Sequence, residues 1–271
     1  IHYVTAEELP TIYLVTGHLE DSLPYDLRKQ MELENYEIKE LSLLTEEKVP
    51  EDADILMFIA PKRDMTEDEA EKVKQYLENQ GRAVFLMELV ENELPNFDAV
   101  LKGYGVALNR ALTVEGDTSR YWQSPAWLFP NLESHDITSP MRTNNMQVLT
   151  IGAQGVEILD VKKRTLEIEP LLTTSDNSWG KVDLTFKSIQ KEEGDISGPF
   201  NIAVSINDKI WNEKTAEYEG AKLVVMGDAE FLNPQFASIG NADFVLNTLN
   251  WLKDEHESIS IRPKSIVSKY L

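Results

Sequence analysis

The sequence predicts an α/β fold in three layers around a mostly parallel sheet, with a β-rich insertion or second subdomain. Three observations carry that expectation. Residues 55–59 (ILMFI), 83–87 (AVFLM) and 223–226 (LVVM) are unbroken apolar runs, too short for helices and suited to strands covered on both faces. The first two are joined by a capped amphipathic helix, which predicts a right-handed parallel crossover. Between residues 113 and 220 the texture changes to short β-rich runs separated by Gly, Asp and Asn, the mark of a β-rich region.

In chain order, residues 11–15 (TIYLV) read as the first parallel strand, stopping at Thr16, Gly17 and His18. A helix is expected from Ser22 to about Asn35, with Pro24 in its first turn, where the missing donor costs nothing. Residues 36–41 alternate and predict a second, more exposed strand. After 55–59 the chain turns at Pro61 and meets Thr66-Glu67-Asp68-Glu69, a capping box in which hydroxyl and carboxylate each satisfy a free amide. Ala70, Val73 and Leu77 recur at helical spacing, and Gly81 stands where a left-handed C-cap is expected. A short helix through Leu101, ended by Gly103, precedes a strand at 106–108.

Residues 115–142, including SRYWQSPAWLFPN, have no sustained period and read as a long ordered excursion. Strand candidates follow at 146–151, 156–161, 166–172, 182–186 and 201–206, with an exposed turn at 211–219. The buried strand at 223–226, an irregular stretch at 231–239 and a helix at 241–253 close the body; Val245, Leu249 and Leu252 share one helix face. The expected organisation is an α/β sheet domain in two parts (1–112 and 221–258), an aromatic loop plus β-rich region (113–220), and a tail (259–271).

Lys and Arg number 26 against 47 Asp and Glu, a net charge of −21 spread along the chain. Such a polyanion repels nucleic acid and anionic headgroups. The absence of cysteine removes disulfides, thiolate metal sites and cysteine nucleophiles together. No G-x-S-x-G elbow occurs, and no stretch approaches the roughly 20 apolar residues that span a bilayer. The opening at Ile1 reads as that of an excised soluble domain or a processed product.

In an open parallel sheet, ligands collect beyond the carboxyl ends of the strands. That rule gathers His18, Glu20, Pro61, Lys62, Glu88, Asp228 and Glu230 at one rim. The set can bind a small anion or a metal, perform acid and base work, or simply hydrogen-bond loop amides. His18 and Glu20 do not make a zinc motif, the other histidines being His2, His135 and His256, and neither metal nor cofactor is expected. Trp122 and Trp127, with Tyr121 and Phe129, either stack on sugar rings or grip a partner, or plug the core beneath the loop.

Several phrases then add up in order: IYLVTGHLE at 12–20, PEDADILMFIAPK at 50–62, LLTTSDNSW at 171–179, VVMGDAEFLN at 224–233 and NTLNWLKDEHESISIRPKS at 247–265. Together they resemble the GldG-like auxiliary component of gliding-motility-type ABC transporters, over nearly the whole chain. The departure is Leu19, which stands where the family phrase GHGE has a glycine. The resemblance implies a class I glutamine amidotransferase-like or flavodoxin-like sheet, shared with the N-terminal domain of an intraflagellar-transport subunit. It also implies a non-enzymatic extracytoplasmic domain, anchored through helices outside this segment and partnered by an ABC permease and ATPase. On that reading Arg262 and Lys264 precede a membrane helix, and a small ligand or glycan is a further partner. Two other readings stand beside it: a glycan or peptide module built on Trp122 and Trp127, and a hydrolase using His18, Glu20 and Asp228.

Overall fold

A computed structural model describes residues 9–185, 188–236 and 239–253. The tail at 259–271, with Arg262 and Lys264, lies outside the described residues, as do His2 and His256.

The first half alternates strand and helix: β1 (Thr11–Val15), α1 (Tyr25–Leu33), β2 (Glu37–Leu41), β3 (Ile55–Ile59), α2 (Glu67–Glu78), β4 (Arg82–Leu86) and α3 (Pro95–Gly103). Then come β5 (Val106–Val114), β6 (Trp127–Leu128), β7 (Asn131–Leu132), α4 (Ser139–Thr143), β8 (Thr150–Ile151), β9 (Gln154–Ile158) and β10 (Leu166–Thr173). The remainder is β11 (Trp179–Lys181), β12 (Ile196–Ser197), β13 (Asn201–Asp208), β14 (Ile210–Asn212), β15 (Glu217–Glu219), β16 (Lys222–Met226), two short 3-10 turns (Glu230–Leu232 and Pro234–Phe236) and α5 (Asn241–Leu252).

Eight strands form the main sheet in the order β2-β1-β3-β4-β16-β13-β10-β7. The first five are parallel, and β13, β10 and β7 extend the sheet antiparallel. β10 and β13, drawn from the 113–220 stretch, therefore belong to the same sheet as β16. Alternation splits each central strand between two cores. Ile55, Met57 and Ile59 face α1, α4 and α5 with Leu27, Met31, Met141, Phe244 and Leu249. Leu56 and Phe58 face α2 and α3 with Val73, Leu77, Phe97 and Leu101. A strand buried on both faces has no polar position to spare, which is why its sequence is apolar throughout. Phe58 stacks on Phe85 at 4.5 Å, and Phe97 meets Phe58 edge-on at 5.7 Å. A second sheet, β12-β11-β5-β9, stands beside the main one.

The capping box at Thr66 is formed in both directions. Gly81, however, is not the left-handed cap: Gln80 takes that conformation at φ 66°. Gly81 is needed for space, because a Cβ there would lie 2.5 Å from the Tyr76 ring and from its carbonyl oxygen. The Tyr76 hydroxyl is tied to the Asp54 and Arg82 carbonyls, so the ring cannot retreat. α1 starts at Tyr25 with Pro24 as its N-cap, and Asn35, at φ 64°, turns the chain toward β2. The strand expected at 182–186 forms earlier, as β11, where Trp179 can pair with Val114; Phe186 is outside the described residues. β5 runs six residues beyond the expected end, to Val114, passing an irregularity at Arg110 (φ 53°). Only Thr150 and Ile151 of the 146–151 run are strand.

Candidate functional site

The loop after β1 begins with His18, 2% exposed and held between two carboxylates. Its Nδ1 lies 2.8 Å from Glu20 and its Nε2 3.3 Å from Glu69, the capping glutamate of α2. Glu20 also accepts the amides of Gly17 (3.0 Å) and His18 (2.7 Å), while Glu69 accepts the amide and hydroxyl of Thr66. Carboxylates only accept, so both ring nitrogens are satisfied as donors only in the imidazolium form. Burial works against that charge, but the hydrogen bonds and charges of Glu20 and Glu69 outweigh it and raise the His18 pKa. Glu20 and Glu69 are correspondingly lowered: burial opposes this, and their hydrogen bonds, including those to His18, prevail. With both ring nitrogens engaged, His18 has none left to take a proton from a substrate.

The His18 carbonyl accepts the amides of Lys62 and Arg63, at 2.9 Å each, which stitches the β1 loop to the turn after β3. Two residues there stand in the left-handed region, Leu19 at φ 61° and Ala60 at φ 50°. Lys62 reaches across to Asp21 at 2.5 Å, and that hydrogen bond, with the nearby Glu88 and Glu230, raises its pKa. Glu88, after β4, is raised by burial and by the charges of Asp21 and Glu230. Asp228, after β16, is fully enclosed; burial pushes its carboxyl up to about 8 although it accepts the amides of Ile151 (2.8 Å) and Phe231 (3.3 Å). Glu230 accepts from Asn233 at 2.7 Å.

The structure thus places Lys62, Glu88, Asp228 and Glu230 within one electrostatic group at the strand ends, with His18 and Glu20 sealed beneath the neighbouring loop. Among the described residues no group of three or more His, Asp or Glu is arranged to hold a metal ion. Trp122 and Trp127 join Phe236 in an aromatic trio with centroid separations of 5.8–6.0 Å. Neither tryptophan plugs the core: Trp122 is 40% exposed and Trp127 half-buried, while Ala126 and Leu128 on either side of Trp127 are buried. Trp127 pairs with Ile151, whose amide binds Asp228, so the trio abuts the same rim.

Three participants escaped the sequence reading. Glu69 carries a legible capping signal, but nothing local shows that its other oxygen meets His18. Asp21 and Phe236 carry no signal, because only the tertiary arrangement brings them to Lys62 and to the tryptophans.

No curated protein sequence matches the chain. Among solved structures it is similar to the mmIFT52 N-terminal domain, at 14% identity over 90% of this chain and 97% of that one, with a TM-score of 0.59. That likeness concerns the fold alone. A glutamine amidotransferase from Thermotoga maritima is more distant, at 8% identity over 89% of this chain and 97% of that one, with a TM-score of 0.46. A family model described as ABC-type uncharacterized transport system matches residues 9–248, nearly the whole described body, strand-end rim included. The chain therefore belongs to this family of ABC transport auxiliary proteins.

Proposed function

We propose that the protein is a non-enzymatic, extracytoplasmic accessory domain of a GldG-like ABC transport component, which associates with the permease and ATPase and passes them a binding state. The family match across residues 9–248 carries this reading. The rim supports it chemically, since His18, Glu20 and Lys62 are engaged with one another's neighbours, an arrangement suited to holding a fixed surface. No helix among the described residues is long and apolar enough to cross a membrane; the proposed reading assigns anchoring to segments outside them. Co-purification from membranes with the cognate permease is the test. Recovery of both together is expected; clean separation under mild detergent refutes the association.

A second reading has its own observation. Trp122 and Trp127 are partly exposed and backed by Phe236, a surface on which a saccharide ring can stack. Thermal-shift measurements with cell-envelope saccharides are expected to show stabilisation that Trp122→Ala abolishes. No shift on folded protein retires this reading.

A further inference from the structure

At the carboxyl end of β1 a crevice of about 410 Å³ opens between the sheet and α1. Its position follows from strand order. β2 and β3 lie on opposite sides of β1, so the chain leaves β1 through α1 on one face and β3 through α2 on the other, and these connections diverge and leave a gap. Such switch points are where open parallel sheets receive ligands, and the volume lies in the range of small-molecule sites.

The floor is one row of register neighbours: Glu40 on β2 opposite Leu14 on β1, and Leu14 opposite Met57 on β3. Leu14 and Met57 belong to the core on the α1 side, and Ile38, two residues before Glu40, packs against that same core. Glu40 therefore occupies a position on the face that α1 covers, yet it is exposed, because the crevice keeps that corner open. Ile59 and Leu23 continue the apolar lining, and Arg28 from the first turns of α1 completes it.

The charges along this lining divide into engaged and unengaged groups. Glu20 is bound to His18 and two amides, and Asp21 to Lys62. Among the described residues, Arg28 and Glu40 make no side-chain hydrogen bond or ion pair, with each other or with anything else. Arg28 is half-buried as a residue and has no carboxylate partner in a chain of net charge −21. An apolar floor with one unengaged cation and one unengaged anion matches a zwitterion with an apolar body. The guanidinium suits a carboxylate bidentately, and the carboxylate suits an ammonium group.

We infer that the crevice between β1 and α1 binds a short apolar peptide with free termini, its carboxylate on Arg28, its ammonium on Glu40 and its side chains over Leu14 and Met57. The site goes beyond the transport assignment and does not depend on it.

The test is calorimetric titration of the 271-residue chain with leucyl-leucine, with its N-acetylated form and with its C-terminal amide. Saturable binding of the free dipeptide is expected, weakened at least about tenfold by blocking either end, as loss of a charge-assisted hydrogen bond requires. Arg28→Met and Glu40→Gln should each weaken it similarly, with unfolding transitions unchanged. The blocked peptides probe the same contacts with no substitution, so a variant that folds poorly does not spare the inference. Absence of binding, or binding indifferent to both ends, overturns it. Binding that depends on Arg28 alone overturns the peptide class in favour of a simple anion. The measurement involves no permease, so a negative result leaves the transport assignment standing, and failure of co-purification leaves the crevice standing.

Discussion

Replacing His18 by alanine should destabilise the protein by about 3 kcal/mol near pH 5.5. Both carboxylate partners are buried with the ring, at 7% side-chain exposure for Glu20 and 4% for Glu69. Removing one side of a buried ion pair costs about 3–5 kcal/mol, because the remaining charge is left uncompensated. Glu20 keeps two backbone amides and Glu69 keeps Thr66, which places the expected cost at the low end. For a domain of this size that is a fall of about 6–12 °C in Tm. The pH dependence identifies the cause. His18 is raised in the folded state, so its contribution is complete below the unfolded value of 6.5 and is lost as pH rises through the folded value. Glu20 and Glu69 are lowered, so their contribution is complete above the unfolded value of 4.5 and is lost as pH falls through their folded values. The penalty should therefore be largest between these unfolded values and shrink from pH 5.5 into the alkaline range, as pH rises through the raised folded value and the ring loses its charge. Urea unfolding of wild type and His18→Ala at both ends of that range reads it directly, and subtracting the two chains cancels the titration of Asp228. An equal penalty at both pH values, or none near pH 5.5, refutes a charged, doubly engaged His18.

Asp228 is the opposite case. Its carboxyl is raised from 3.8 to about 8, so the folded state holds the extra proton and stability falls as pH rises across that window. Asp228→Asn should flatten this fall, measured as urea midpoints from pH 5 to pH 8.5. Gly81→Ala forces a methyl against the Tyr76 carbonyl and should cost about 1–3 kcal/mol, seen as a lower denaturant midpoint with unchanged slope. Leu19→Gly should stabilise by up to about 1 kcal/mol: it relieves about 1–2 kcal/mol of left-handed strain and adds about 0.5–1 in glycine entropy, and the 65% exposed side chain contributes little packing. A loss of stability there would mean that Leu19 packs more than its exposure implies.

The parallel half of the sheet was legible because burial on both faces writes itself into an unbroken run, as in Ile55–Ile59, and because the Thr66 capping box is a local interaction with a local signature. The second sheet was legible only in part: the start of β5 and the end of β9 were expected as strands, whereas β11 and β12 were not. β11 and β12 are two or three residues long and find partners far along the chain, Trp179 with Val114 for instance, so no periodicity announces them. The same division holds at the rim. His18 and Glu20 are two residues apart and were read together. The contact of His18 with Glu69 depends on the first turn of α2 arriving beneath the β1 loop, a tertiary fact. Gly81 shows a subtler failure: a glycine after a helix usually supplies a left-handed φ, whereas here it makes room for a tyrosine, and Gln80 takes the unusual dihedral. Arg28 carries no local signal: it sits on a nine-residue helix with two buried apolar residues, and only the strand order opens a crevice beside it.

The turn after β3 shows how the sheet enforces a strained residue. Ala60 adopts φ 50° directly beyond the strand while its amide still bonds Leu86 at 2.8 Å, so the chain leaves the sheet abruptly and the next residues come back under the His18 carbonyl. The residue in the strained conformation, Ala60, carries only a methyl group. A strained φ costs about 1–3 kcal/mol and persists only where its surroundings enforce it. At this turn the enforcing contacts are visible: Lys62 and Arg63 donate to the His18 carbonyl, and Asp21 donates to Ile59. These bonds lock the β1 loop against the β3 turn, and they give the strain a structural reason. The same lock fixes Lys62 and Asp21 at the surface, where the two side chains join the loops a second time at 2.5 Å.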